Sequence, residues 1–171
     1  MLDKQLLEQL QEYVDQHSRK CCYRCKVLNF PKIDFKEKVY ENIKSNEISD
    51  FIKNNRESTF AQLLFGFIDD RNLSDSDVYK RAGIDRRHFS KIRSNSDYRP
   101  GKNTIIALSI ALELNEEEMG KLLCAAGYSL SNNDTFDLVI KFCLEKKIYD
   151  IDSINQALDY FSLKTLAGVL E

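Results

Sequence analysis

The sequence predicts an all-α protein. Three observations carry that prediction: apolar residues recur at spacings of three and four along most of the chain, no stretch alternates apolar and polar residues for long, and only two prolines and six glycines interrupt 171 residues. With 43% apolar and 30% charged residues, the chain has the material for a buried core and the composition of an ordered globular protein.

Taken in order, Leu2, Leu6, Leu7, Leu10, Tyr13, Val14 and His17 share one face of a helix over residues 2–17. That is about two heptads, short of the three or four a coiled coil sustains, so the helix is expected to pack on the rest of the chain. A Cys-rich run and Pro31 interrupt the pattern. Phe35, Val39 and Ile43 then mark a second helix, and Ile48, Phe51 and Ile52 a short third. Phe60, Leu63, Leu64, Phe67 and Ile68 mark a fourth, over 57–71.

From residue 74 the local signals reinforce one another. Ser74 followed by Asp77 is an N-cap pattern, Val78 and Ala82 form a four-residue apolar step, and Gly83 can take the left-handed conformation that stops a helix. Ile84 is expected to bury, Asp85 to cap again, and Phe89 and Ile92 to form the inner face of the next helix, over 85–94. The helix over 102–112 is apolar nearly all round, including Ala107 and Ile110, so other helices must cover it. Asn115 with Glu118 makes a second capping pattern. Phe136, Val139, Ile140 and Cys143, then Asp150 as a cap before Ile151, Ile154, Leu158 and Phe161, define two more amphipathic helices. The expectation is one continuous helical body.

Net charge is −2, so the whole molecule offers no global attraction to polyanions. The charge is unevenly placed, however. Residues 70–104 carry nine Lys or Arg against five Asp, residues 19–44 eight against three, and residues 105–171 a net of −6. Any polyanion site is therefore local. No apolar run approaches the roughly 20 residues that cross a bilayer, and Asp3 and Glu8 among spaced leucines do not make a signal peptide, so the expected location is cytoplasmic, without a membrane partner.

Val78, Ala82, Gly83, Ile84, Phe89 and Ile92, followed by Arg99-Pro100 and the run Thr104 to Met119, resemble the lambda-repressor-like (Cro and C1 type) helix-turn-helix family over about residues 57–124. The resemblance implies a helix-turn-helix bundle at 57–126, extended by N-terminal helices (1–56) and C-terminal helices (127–171) packed on it. It further implies a DNA-binding transcriptional regulator, acting on double-stranded DNA as a homodimer. Carried over by position, the reading face is Arg86, Arg87, Ser90, Lys91 and Arg93, with Asp85 at its start and Ser94 near its end. Guanidinium can bond guanine or phosphate bidentately, whereas Lys91 acts as a point charge on the backbone.

A second expectation belongs to another class: a non-enzymatic interaction or adaptor module that keeps the fold as a scaffold for a protein partner. It rests on Tyr79, where the family usually has a small residue at the helix crossing, on carboxylates at Asp75 and Asp85 that repel phosphate, and on the acidic last third. A ring at position 79 must push the helices apart or slip aside.

Five cysteines is an odd count without an export signal, which argues against a disulfide framework. Cys22 and Cys25 have the spacing of a zinc pair, with His17 and Cys21 nearby, but no second pair exists, and plain structural or surface thiols are the favoured reading over zinc or a redox pair. Cys124 and Cys143 are expected to act as small hydrophobes in apolar helices. No glycine-rich phosphate loop, nucleophile elbow or metalloprotease helix is present, and His17 and His88 fall in unrelated segments. The expectation is a protein without catalytic residues, cofactor or metal.

Overall fold

A computed structural model describes residues 4–20 and 45–166. The described residues form nine helices and no strand. These are α1 (Lys4–Lys20), α2 (Ser45–Asn54), α3 (Phe60–Asp70), α4 (Asp75–Arg81), α5 (Arg86–Ser94), α6 (Lys102–Ala111), α7 (Glu116–Ala125), α8 (Thr135–Glu145) and α9 (Ile151–Tyr160). The helix expected around Phe35, Val39 and Ile43, the basic stretch 19–44 for the most part, and Cys21, Cys22 and Cys25 lie outside the described residues.

Helix α6 is the centre of the molecule because its sequence gives it no polar face. Every residue from Thr104 to Ala111 is buried, including Ala107 and Ile110. Its one buried hydroxyl, Ser109, donates to the Ile105 carbonyl at 2.8 Å and so carries no desolvation debt. Helices α4, α7 and α9 pack on α6, α3 packs on α7, and α8 joins α7 to α9. The cover over α6 therefore comes partly from the C-terminal region. Helix α1 lies on α8, where Leu10 and Val14 bury, the Tyr13 ring meets Phe142 edge-on at 5.3 Å, and the Tyr13 hydroxyl donates to Glu145 at 2.7 Å. One buried apolar cluster runs unbroken from Leu10 to Leu166.

Six helices end in the same way. After α3, α4, α6, α7, α8 and α9, one residue adopts positive φ: Asn72 (52°), Gly83 (63°), Glu113 (54°), Gly127 (82°), Lys147 (56°) and Ser162 (54°). The amide of the residue after it reaches back to the last turn, as in Ile84 N–H to Tyr79 O at 2.9 Å and Leu114 N–H to Ser109 O at 2.9 Å. Leu73, Ile84, Leu114, Tyr128, Ile148 and Leu163 follow, so each chain reversal also brings an apolar side chain to the helix end. Only two of the six turns use glycine, which is why sequence alone marks Gly83 as a helix stop and leaves Lys147 unmarked.

Cap chemistry at the N-termini follows the sequence closely. Thr59 and Gln62 form a reciprocal capping box on α3, Asn115 and Glu118 another on α7, and Asp150 accepts from the Ser153 amide at 2.9 Å on α9. Helix α6 has Gly101 at its cap and no side-chain cap bond. Its first residue, Lys102, instead donates to Asp137 Oδ2 at 2.7 Å, across to α8. Asp137 is fully buried, its Oδ2 also accepts from the Ser131 amide at 2.7 Å, and its Oδ1 has no partner.

Two features differ from expectation. Cys143 is buried, and that burial pushes its thiol pKa up to about 12, but Cys124 is exposed because Leu122 and Leu123 take the inward positions of α7. Helix α2 presents Ile48, Phe51 and Ile52 to solvent, at 47%, 68% and 56% exposure, so none of its apolar residues is covered by the described residues. No helix among the described residues is long and apolar enough to cross a membrane.

Candidate functional site

The tight turn between α4 and α5 is built from local chemistry. Ser74 caps α4, accepting from the Asp77 amide at 3.2 Å and donating its hydroxyl to Asp77 Oδ2 at 2.6 Å. That hydroxyl bond holds the Asp77 carboxyl below its ordinary range. Gly83 reverses the chain, Ile84 plugs the corner at 4% exposure, and Asp85 restarts the helix by accepting from the Arg87 amide at 2.6 Å.

Helix α5 then has two faces. Phe89 and Ile92 bury inward, while Arg86, Arg87, Ser90, Lys91 and Ser94 are exposed and border one open concavity of about 620 Å³. At 100° per residue Arg87 lies opposite the buried pair, Ser90 and Lys91 flank it, and Arg86 sits toward one edge. Neither the Arg86 nor the Arg87 guanidinium has an ion-pair or hydrogen-bond partner among the described residues. Helix α1 packs on α8, so it does not occlude this surface.

The remaining expected residues are placed differently from one another. Arg93 is tied down: its guanidinium pairs with Asp75 and lies 4.2 Å from the centroid of the Phe65 ring. Among the described residues Lys91 meets a ring and no carboxylate, with its ammonium 4.3 Å from the centroid of the Tyr98 ring. The Asp75 carboxylate is paired with Arg93, and the Asp85 carboxylate accepts from the Arg87 amide. Tyr79 slips aside: Val78 and Ala82 occupy the inner positions, and the half-buried Tyr79 ring lies 5.9 Å from Phe89, which also meets Phe65 edge-on at 6.1 Å. Three rings thus bind α3, α4 and α5 into one support.

Sequence reasoning missed Phe65 and Tyr98. Phe65 serves as a platform for Arg93, far away in sequence, and Tyr98 for Lys91, seven residues before it, and neither carries a motif that would have marked it.

A cleft of about 670 Å³ lies where the ends of α4 and α6 meet the start of α9. Lys80 and Arg81 line it together with Glu113, Asp150 and Asp152, so it favours neither sign of charge, and Asp150 is already spent as the α9 cap. No group of three or more His, Cys, Asp or Glu side chains gathers as a metal site among the described residues. His17 rests on Tyr13, with Nδ1 2.9 Å from the Tyr13 carbonyl and the two rings stacked at 4.0 Å. No family model, no curated protein and no solved structure matches this chain.

Proposed function

We propose that the chain is a DNA-binding transcriptional regulator of the lambda-repressor-like helix-turn-helix kind, with α4 and α5 as the two helices of the motif and α5 entering the major groove. The observation that carries this reading is the pair of exposed, unpartnered guanidiniums, Arg86 and Arg87, at the first turn of a short helix whose other face is firmly seated. Arg87, on the outward line, suits a bidentate contact to guanine O6 and N7. Arg86 and Lys91, to either side of that line, suit the two phosphate walls of the groove.

A homodimer would place two such helices on half-sites about one helical turn apart. The test is selection from a random duplex pool at low salt. Enrichment of a guanine-containing site supports the reading, and a purified protein that retains no duplex removes it.

A second reading, an interaction module, is supported by the exposed Ile48, Phe51 and Ile52 stripe on α2. A protein partner that co-purifies at fixed stoichiometry and survives substitution of Arg86 and Arg87, with no duplex bound, would favour it.

A further inference from the structure

We infer that Tyr98 is a positioning residue for the proposed nucleic-acid face, holding the Lys91 ammonium in place without cancelling its charge. The inference rests on the DNA-binding reading and names a residue that neither the helix register nor the motif identifies. Just beyond α5, the Tyr98 amide donates to the Asn95 carbonyl at 3.1 Å and the Asp97 amide to Asn95 Oδ1 at 3.0 Å, folding the chain back along the helix. The half-buried Tyr98 ring is then fixed from two sides. Its hydroxyl lies 3.1 Å from His88 Nε2, the two rings meet edge-on at 5.8 Å, and the Lys91 ammonium sits 4.3 Å from its centroid.

Arg93 provides the internal contrast. It too lies over a ring, that of Phe65, but Asp75 pairs with it, so its charge is spent within the protein. The Tyr98 ring attracts a cation through its quadrupole and supplies no counter-charge, so the Lys91 ammonium keeps its N–H donors for a phosphate oxygen. A lysine on a free four-carbon stem must be ordered on binding, and the ring does part of that ordering in advance. Lys91 occupies one face of the ring, and Arg86, Arg87, Ser90, Lys91 and Ser94, which border the outward concavity, include no aromatic residue. Backbone contact to a duplex fits this arrangement, whereas single strands are held by exposed stacking platforms.

The experiment is a double-mutant cycle read by fluorescence anisotropy on the duplex selected for the wild type. Tyr98→Leu should weaken binding about two- to five-fold, the range of an exposed cation–ring contact. Tyr98→Phe should stay close to wild type, and in a Lys91→Ala background Tyr98→Leu should cost nothing further. The same loss in both backgrounds, or a Phe variant as weak as the Leu variant, overturns the inference while leaving DNA binding intact. A wild type that binds no duplex overturns both. Should Tyr98→Leu fail to fold, the contact is read instead in the wild type and Tyr98→Phe as an upfield ring-current shift of the Lys91 ε-protons, and unshifted protons overturn it.

Discussion

Replacing Lys102 with Met should be among the most damaging single changes outside the apolar core. Asp137 is 1% exposed at its side chain, and Lys102 is 26% exposed, so the pair sits at the edge of the buried interior with the carboxylate on the inside. Lys102→Met leaves that carboxylate with the Ser131 amide as its one donor, while Oδ1 remains unpartnered. Breaking a buried pair by removing one partner costs about 3–5 kcal/mol, and the partial exposure of the ammonium points to the lower end, about 3 kcal/mol. For a chain of this size that corresponds to a Tm lower by roughly 6–12 °C. Urea unfolding followed by circular dichroism measures it, with an unchanged m-value showing that the loss lies in stability. Removing both charges, as in Lys102→Met with Asp137→Leu, should recover most of the loss, because an apolar pair of similar volume needs no solvation. A single Lys102→Met variant within about 1 kcal/mol of wild type would show instead that the pair behaves as an ordinary exposed one.

Two further predictions concern local structure. Lys147 is exposed and held at φ 56° by the reversal after α8, so Lys147→Gly should raise stability by about 0.5–1 kcal/mol, and thermal unfolding that shows a decrease would contradict the turn described here. Ser74→Ala should cost about 1 kcal/mol through loss of the α4 cap. It should also change the acid limb of the stability profile. The Asp77 carboxyl is held below its ordinary value of 3.8 chiefly by Ser74, so its contribution is fully present above that value and is lost as pH falls through the depressed one. Without Ser74 this acid-sensitive component should shrink, which paired unfolding curves from pH 5 to pH 2 would reveal, and identical acid limbs would argue against the assignment.

What was legible in the sequence was local. Ser74, Asp85, Asn115 with Glu118, and Asp150 act within three residues of themselves, and Gly83 is the residue type its φ demands, so each was identifiable without tertiary knowledge. The all-round apolarity of 104–112 likewise announced a central helix. The long-range ion pairs, one beside the candidate site and one between α6 and α8, were not legible, because they join residues whose separation in sequence carries no period. Arg93 reaches 18 residues back to Asp75, and Lys102 reaches 35 residues forward to Asp137. The position carried over from the family resemblance groups Arg93 with Arg86 and Arg87, whereas geometry separates a guanidinium paired with a carboxylate from two that are not. Cys124 shows a similar limit: one residue past Leu123, the helix register turns it outward.

The central claim, that the outward face of α5 reads a duplex, is tested most directly by comparing Arg87→Ala with Lys91→Ala on the selected sequence across a salt series. Arg87→Ala should cost about 1–3 kcal/mol of affinity and relax preference at one base pair, while Lys91→Ala should weaken all duplexes alike and lower the salt slope by about one. An Arg87→Ala protein that binds with wild-type affinity and wild-type base preference would contradict the claim.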